Sequence, residues 1–317
     1  LLSSAHDPRV ERLKDHLLHL YARCDLIARR YKRLFIRVGR GAYLLSTLAV
    51  LAVTIGLLYP QVAHAAYAVE ALLLGAILAA VLWGQNVRVH RRWLQNRFVA
   101  ERCRTAVIFY LLGLEPSEIE LFEEVGQEPE DRWVIRAFQE GWNKLKAATG
   151  TMSPPSLSDT SDLAGLQGFV MNGIIAGQKK YHHKKHERNK SKSHRLETLG
   201  HGIFAMAIIA ALLHLLLPTG TMMYRPRALE TSLTVLAILL PIIAASVEGL
   251  RKLREYSRVA LSSLRMEGEL GRCAARIDAT TSRKDFEERF RELDRAMMRE
   301  SQEWLALMIT NELEPVT

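Results

Sequence analysis

LGHGIFAMAIIAALLHLLLP, residues 199–218, carries no Asp, Glu, Lys or Arg. At about 1.5 Å of rise per residue, the nineteen residues before Pro218 make a helix about as long as a bilayer's hydrocarbon core is thick. Just upstream lies QKKYHHKKHERNKSKSHR, residues 178–195, with eight Lys and Arg, four His and one Glu. Alone, such a run reads as a nucleic-acid patch, a solvated tail or the basic flank of a membrane helix. The apolar stretch that follows selects the last reading, and no nucleic-acid partner is expected.

Three further blocks have the same character: GAYLLSTLAVLAVTIGLLY (41–59), AYAVEALLLGAILAAVLWG (66–84) and LETSLTVLAILLPIIAASV (229–247). Only Glu70 and Glu230 are charged within them, each near the start of its block. The expected fold is an all-α membrane protein, with four transmembrane helices in two hairpins and long amphipathic cytoplasmic helices. A charged content of 24% resembles that of a soluble protein, but it averages very apolar blocks with very charged ones.

Lys and Arg crowd the segments before Gly41, between Gly84 and Leu199, and after Glu248. The loop PQVAHA has none, and PTGTMMYRPRA has only Arg225 and Arg227. By the positive-inside rule both termini and the long middle segment are expected to be cytoplasmic. The net charge of +9 then reflects that bias and attraction to anionic headgroups. Three cysteines, Cys24, Cys103 and Cys273, show no CxxC spacing and read as reduced thiols. The N-terminus is charged and polar rather than a secretory signal. The chain begins at Leu1 rather than Met, so something upstream is expected to be missing.

The two halves share a plan. A basic helix, 21–40 or 178–195, leads into a span ending in LLYP (57–60) or LLLP (215–218). After a short turn, a second span begins near a carboxylate, Glu70 or Glu230, and continues into a charged helix, 86–112 or 248–277. Residues 1–148 therefore read as the first repeat, 149–165 as a Pro/Ser-rich linker, and 166–317 as the second repeat. The eight acids of EPSEIELFEEVGQEPED (115–131) read as a solvated face. In the stem after the first hairpin, Leu94, Phe98 and Val107 with Val99, Cys103 and Ala106 form an apolar stripe that must pack within the bundle or on another subunit. Residues 285–309 form another amphipathic helix, with Phe286, Phe290, Leu293, Met297 and Trp304 along one side.

Several side chains are candidates for function. Glu70 and Glu230 either face protein or a water-filled path, forming acidic rings that favour cations, or sit at headgroup level and meet water. His201 and His214, with His64, are candidates for gating between pH 5 and 8 or for hydrogen bonds within the bundle. Lys179, Lys180, Lys184 and Lys185 are expected to contact lipid headgroups. His182 and His186 stand one turn apart, yet no further ligand converges on them, and no metal or cofactor is expected. Gly75, Ala76, Ala79 and Ala80 suit close helix approach, and Pro241 suits a kink. No P-loop, GxGxxG, GxSxG or HExxH occurs, so the chain reads as a non-enzyme.

The basic helix 21–40, the tight hairpin and RRWLQNRFVAERCR (91–104) resemble the SLATT domains, two-transmembrane effector modules found beside nucleotide-signalling and SLOG proteins in bacterial conflict systems. The likeness covers roughly residues 20–112 and is carried above all by Trp93, Arg97, Glu101 and Arg104. The second repeat keeps the architecture but has REYSRVALSSLR (254–265) in place of that motif. The resemblance implies an oligomeric pore-forming or membrane-disrupting effector in antiviral defence, released by a sensor upstream of Leu1 or by a separate partner. The alternative is a membrane anchor that presents cytoplasmic helices to a partner. A small transporter is disfavoured, since no span is broken at mid-membrane.

Overall fold

The apolar and charged runs become long helices in the computed structural model, which describes residues 8–112, 114, 132–149, 161–216 and 227–309. Among these residues there is no β-strand. In chain order the helices are α1 (Pro8–Leu13), α2 (His19–Leu58), α3 (Ala63–Asn86), α4 (Val89–Leu111), α5 (Arg132–Thr149), α6 (Ser161–Gly168), α7 (Ala176–Leu216), α8 (Arg227–Leu253), α9 (Tyr256–Asp278) and α10 (Arg283–Ile309). The acidic run 115–131, most of the linker 149–165 and the second outer turn with Pro218 lie outside the described residues.

Four helical stretches hold a window apolar and long enough to cross a membrane: Glu11–Leu58, Pro60–Leu111, Leu163–Leu216 and Thr231–Asp278. A hydrocarbon core takes about 20 helical residues. Each stretch is 48 to 54 residues long, so more than half of each must lie outside the bilayer. The apolar surface that remains uncovered in these windows suits lipid: Leu72 is 74% exposed and Leu215 77%. The chain is an all-α membrane protein.

The two halves repeat one succession of local structures. A π-helical stretch, Lys14–Leu18 or Phe169–Ile175, precedes a long unbroken helix of 40 residues in α2 and 41 in α7. The second spans, α3 and α8, each end in a two-residue break before a 23-residue helix, α4 or α9. In both breaks the second residue has left-handed backbone, Arg88 at φ 52° and Glu255 at φ 49°. Such a conformation costs a non-glycine residue about 1–2 kcal/mol, so it persists only where the surroundings impose it. Between α2 and α3, Pro60 bars Tyr59 from helical backbone, and α2 stops at Leu58.

Within the described residues the chain divides into two compact units that cut across the repeats. One comprises Leu1–Arg33, Arg88–Lys185 and Leu261–Glu312; the other comprises Leu34–Val87 and His186–Ala260. Each draws on both halves of the sequence.

The first unit is built from amphipathic helices. Its main core joins Phe109 and Leu112 to Val170, Ile174 and Ile175, to Leu270, Cys273 and Ile277, and to Phe286, Phe290 and Leu293. Phe109 and Phe290 meet at 5.1 Å between ring centres. The turn from α9 to α10 is closed by polar groups. The Gln167 Nε2 amide donates to the carbonyls of Ile277 (3.2 Å) and Thr280 (2.9 Å). Ser282 caps α10 by accepting from the Asp285 backbone N–H at 3.2 Å.

The second unit holds the apolar spans. Thr47 and Ser246 join α2 to α8 through a 3.1 Å hydroxyl contact. Ser193 meets Ser257 at 2.7 Å, and the His186 Nδ1 lies 2.8 Å from the Ala260 carbonyl, tying α7 to the start of α9. Pro241 lies inside α8 without ending it.

Candidate functional site

Asp25 is the only acid in the basic helix 21–40, and it lies buried on α2 facing α4. It pairs with Arg29 at 2.6 Å and with Arg97 at 3.3 Å. Arg97 also pairs with Glu101, which in turn holds Arg104 at 2.7 Å. Trp93, one turn before Arg97, is buried beneath the Lys32 ammonium, 5.4 Å from the ring centre, and packs edge-on against His90. The four residues that carry the family resemblance thus form one band that fastens α4 to α2. Partly desolvated and arranged as a network, such charges hold geometry better than isolated surface pairs do.

A second polar feature is deeper. Arg102 is 2% exposed, stacks over Phe138 of α5 at 5.3 Å, and feels the charge of the fully buried Asp294 on α10. Burial pulls the Arg102 guanidinium below its usual range, and Asp294 pushes it back. A buried arginine keeps its charge, and the acid offsets part of the lost hydration. The sequence reading missed both residues. The signal was present: each charge sits on an apolar stripe, Arg102 between Phe98 and Ala106, and Asp294 between Phe290 and Met298.

The cysteines of this unit are buried and free. Burial, then the neighbouring Cys24, pushes the Cys103 thiol up to about 12, which keeps it protonated at neutral pH. Among the described residues no group of three or more His, Cys, Asp or Glu is placed to hold a metal ion.

The basic run divides by facing. Lys180 and Lys184 are exposed, whereas Lys185 turns to Glu300 on α10, 3.6 Å away, and Lys179 lies half-buried beside Gly271 of α9. These four lysines precede Leu199 by 14 to 20 residues of one continuous helix, or about 21–30 Å. His182 is buried at 4.0 Å from Glu300, and His183 lies 3.2 Å from Glu267.

In the apolar unit, Glu70 is half-buried on α3 and His201 is exposed on α7. His214 is half-buried, and its Nδ1 meets no hydrogen-bond partner among the described residues. Glu230 falls in the first turn of α8, with its side chain outside the described set. Glu248, one residue beyond the fourth apolar block, grips Arg251 through two 2.7 Å hydrogen bonds, which hold its carboxyl below the usual carboxylate range.

Set against family models, curated proteins and solved structures, the chain matches none of them.

Proposed function

We propose that this chain is a homo-oligomeric membrane effector that opens a pore in, or otherwise breaches, a bacterial inner membrane. The observation that carries the reading is the set of four apolar helices whose surfaces remain largely exposed. One span suffices to tether a domain, and a repeated pair of hairpins offers walls for a path between subunits. The likeness of residues 20–112 to SLATT domains adds the setting: antiphage defence of the abortive-infection kind, downstream of a nucleotide-signal sensor. That sensor is either a domain upstream of Leu1 or a separate partner. Both termini lie on the cytoplasmic side, where the basic helix ends belong.

Glu70 and Glu230 are the proposed acidic lining near the outer mouth, with His201 and His214 as gating candidates on α7. No catalytic step is assigned to the chain. The test is ion selectivity of the reconstituted protein with Glu70→Gln and Glu230→Gln combined. A lowered preference for cations with intact assembly is expected; unchanged selectivity removes the two carboxylates from the path. An anchor, by contrast, passes no ions in either form.

A further inference from the structure

On the seam between α2 and α8 the helices approach so closely that side chains are excluded. A Cβ on Gly39 would collide with Leu253, and one on Gly249 would collide with the ring of Tyr43. The Leu253 side chain of α8 thus covers Gly39 of α2, and the Tyr43 side chain of α2 covers Gly249 of α8, one helical turn apart on each. The residues next in sequence to the first pair, Arg40 and Arg254, are therefore held at the same level of the seam. Arg254 is half-buried, and the positive charge of Arg40 acts directly on it. Burial depresses Arg254 most, Tyr256 opposes this, and Arg40 deepens the fall.

Two like charges held together call for a counter-charge, and the neighbouring acids are already engaged. Glu248 is bound by Arg251, and Glu255 lies 3.4 Å from Arg258. Glu197 faces Arg251 at 3.9 Å. No carboxylate pairs with Arg40 or Arg254 among the described residues.

The level of the pair points to the missing anion. Arg40 directly precedes the first apolar block, and Arg254 stands seven residues, or about 10 Å, beyond the end of the fourth. Arg40 is therefore at the depth where headgroups begin, and the Gly39–Leu253 approach brings Arg254 to that level. One and two turns deeper on the same face of α2, Leu44 and Leu48 are 62% and 40% exposed. A cationic fork followed by exposed leucines at successive turns matches a phosphate followed by an acyl chain.

We propose that Arg40 and Arg254 form a headgroup site on the α2–α8 seam that binds the phosphate of an anionic phospholipid. Guanidinium forks grip phosphate oxygens in pairs, and a lipid of net negative charge relieves the repulsion between them where a zwitterionic one cancels part of its own field. The site requires only that the spans lie in a bilayer, so it stands or falls independently of pore formation.

The full chain in detergent micelles is titrated with short-chain phosphatidylglycerol, short-chain phosphatidylcholine and inorganic phosphate, following the thermal midpoint. Phosphatidylglycerol should raise the midpoint, and the other two should not. Arg40→Gln with Arg254→Gln should weaken phosphatidylglycerol binding by about tenfold or more, the loss of charged hydrogen bonds. The lipid-free midpoint of that variant should hold or rise, since the repulsion is gone. Arg188→Gln with Lys190→Gln, exposed basic residues elsewhere on α7, should keep the affinity of the parent. Unchanged binding in the first variant, or an equal loss in the second, overturns the site. An equal response to inorganic phosphate overturns the assignment to lipid. If the Gln pair does not fold, Arg40→Lys with Arg254→Lys decides: the charge is kept and the forks are lost, so full retention of affinity would overturn the paired grip.

Discussion

Arg102 and Asp294 carry two of the most deeply buried charges of the helical core. Removing the Arg102 guanidinium takes away the positive charge acting on the buried Asp294 carboxylate and empties a packed site, losses that together cost about 3–5 kcal/mol. Arg102→Ala should therefore lower stability by about that much in a denaturant titration of the whole chain, whereas Arg104→Ala, whose side chain is 44% exposed, should cost under about 1 kcal/mol. Similar losses in the two would show that Arg102 is not held as described. His182 gives the same core a dependence on pH. Burial, then the charges of Lys185 and Arg104, pull its imidazole from 6.5 down to about 4, against the opposing pull of Glu267 and Glu101. Between those values the unfolded chain binds the proton and the folded one does not, so this residue makes stability fall as pH drops from 6.5 towards 4. Above that window its contribution is flat. His182→Gln should flatten the fall, as seen in melting temperatures across the window; an unchanged slope would assign it to other groups.

The paired breaks after α3 and α8 belong to the scale of elements. Arg88 and Glu255 occupy backbone that glycine adopts freely, and glycine there should recover part of the cost. Arg88→Gly and Glu255→Gly should each match or exceed the parent's stability. Arg88→Val, by contrast, should lose about 1–2 kcal/mol, because a branched Cβ resists left-handed backbone. Equal behaviour of Gly and Val would mean that the break is not fixed. Nothing local in VRV (87–89) or REY (254–256) announces these breaks. They were not legible in the sequence because both lie within charged, helix-compatible runs and contain neither Gly nor Pro. The spans were legible, since runs of nineteen residues with at most one charge have few alternatives to membrane helices. The amphipathic stripes were legible as well: Phe286, Phe290 and Leu293 lie in one core. What spacing alone did not give was the partner of each stripe. Phe109 of the first half meets Phe290 of the second, a pairing set by tertiary packing.

At the scale of the molecule, the candidate site was legible only in part. Glu70 stood out because a lone acid in an apolar block is costly. The lysines of 178–185 stood out by number, but not which of them turn inward: Lys185 faces Glu300 and Lys179 lies beside Gly271, while Lys180 and Lys184 are exposed. Arg40 and Arg254 did not stand out, because each is one of many arginines and only the Gly39–Leu253 approach brings them together. On the proposed reading, the unit of amphipathic helices would receive the signal and the unit of apolar spans would act in the bilayer. The measurement that bears most directly on that function is leakage of ions and small dyes from liposomes reconstituted with the full chain, across a range of protein densities and with nucleotide signals added. Protein-dependent leakage, altered when Glu70 and Glu230 are both replaced by Gln, is the expected result. Liposomes that stay tight at every density and with every signal, while holding correctly inserted and assembled protein, would contradict a pore and leave the chain as an anchor.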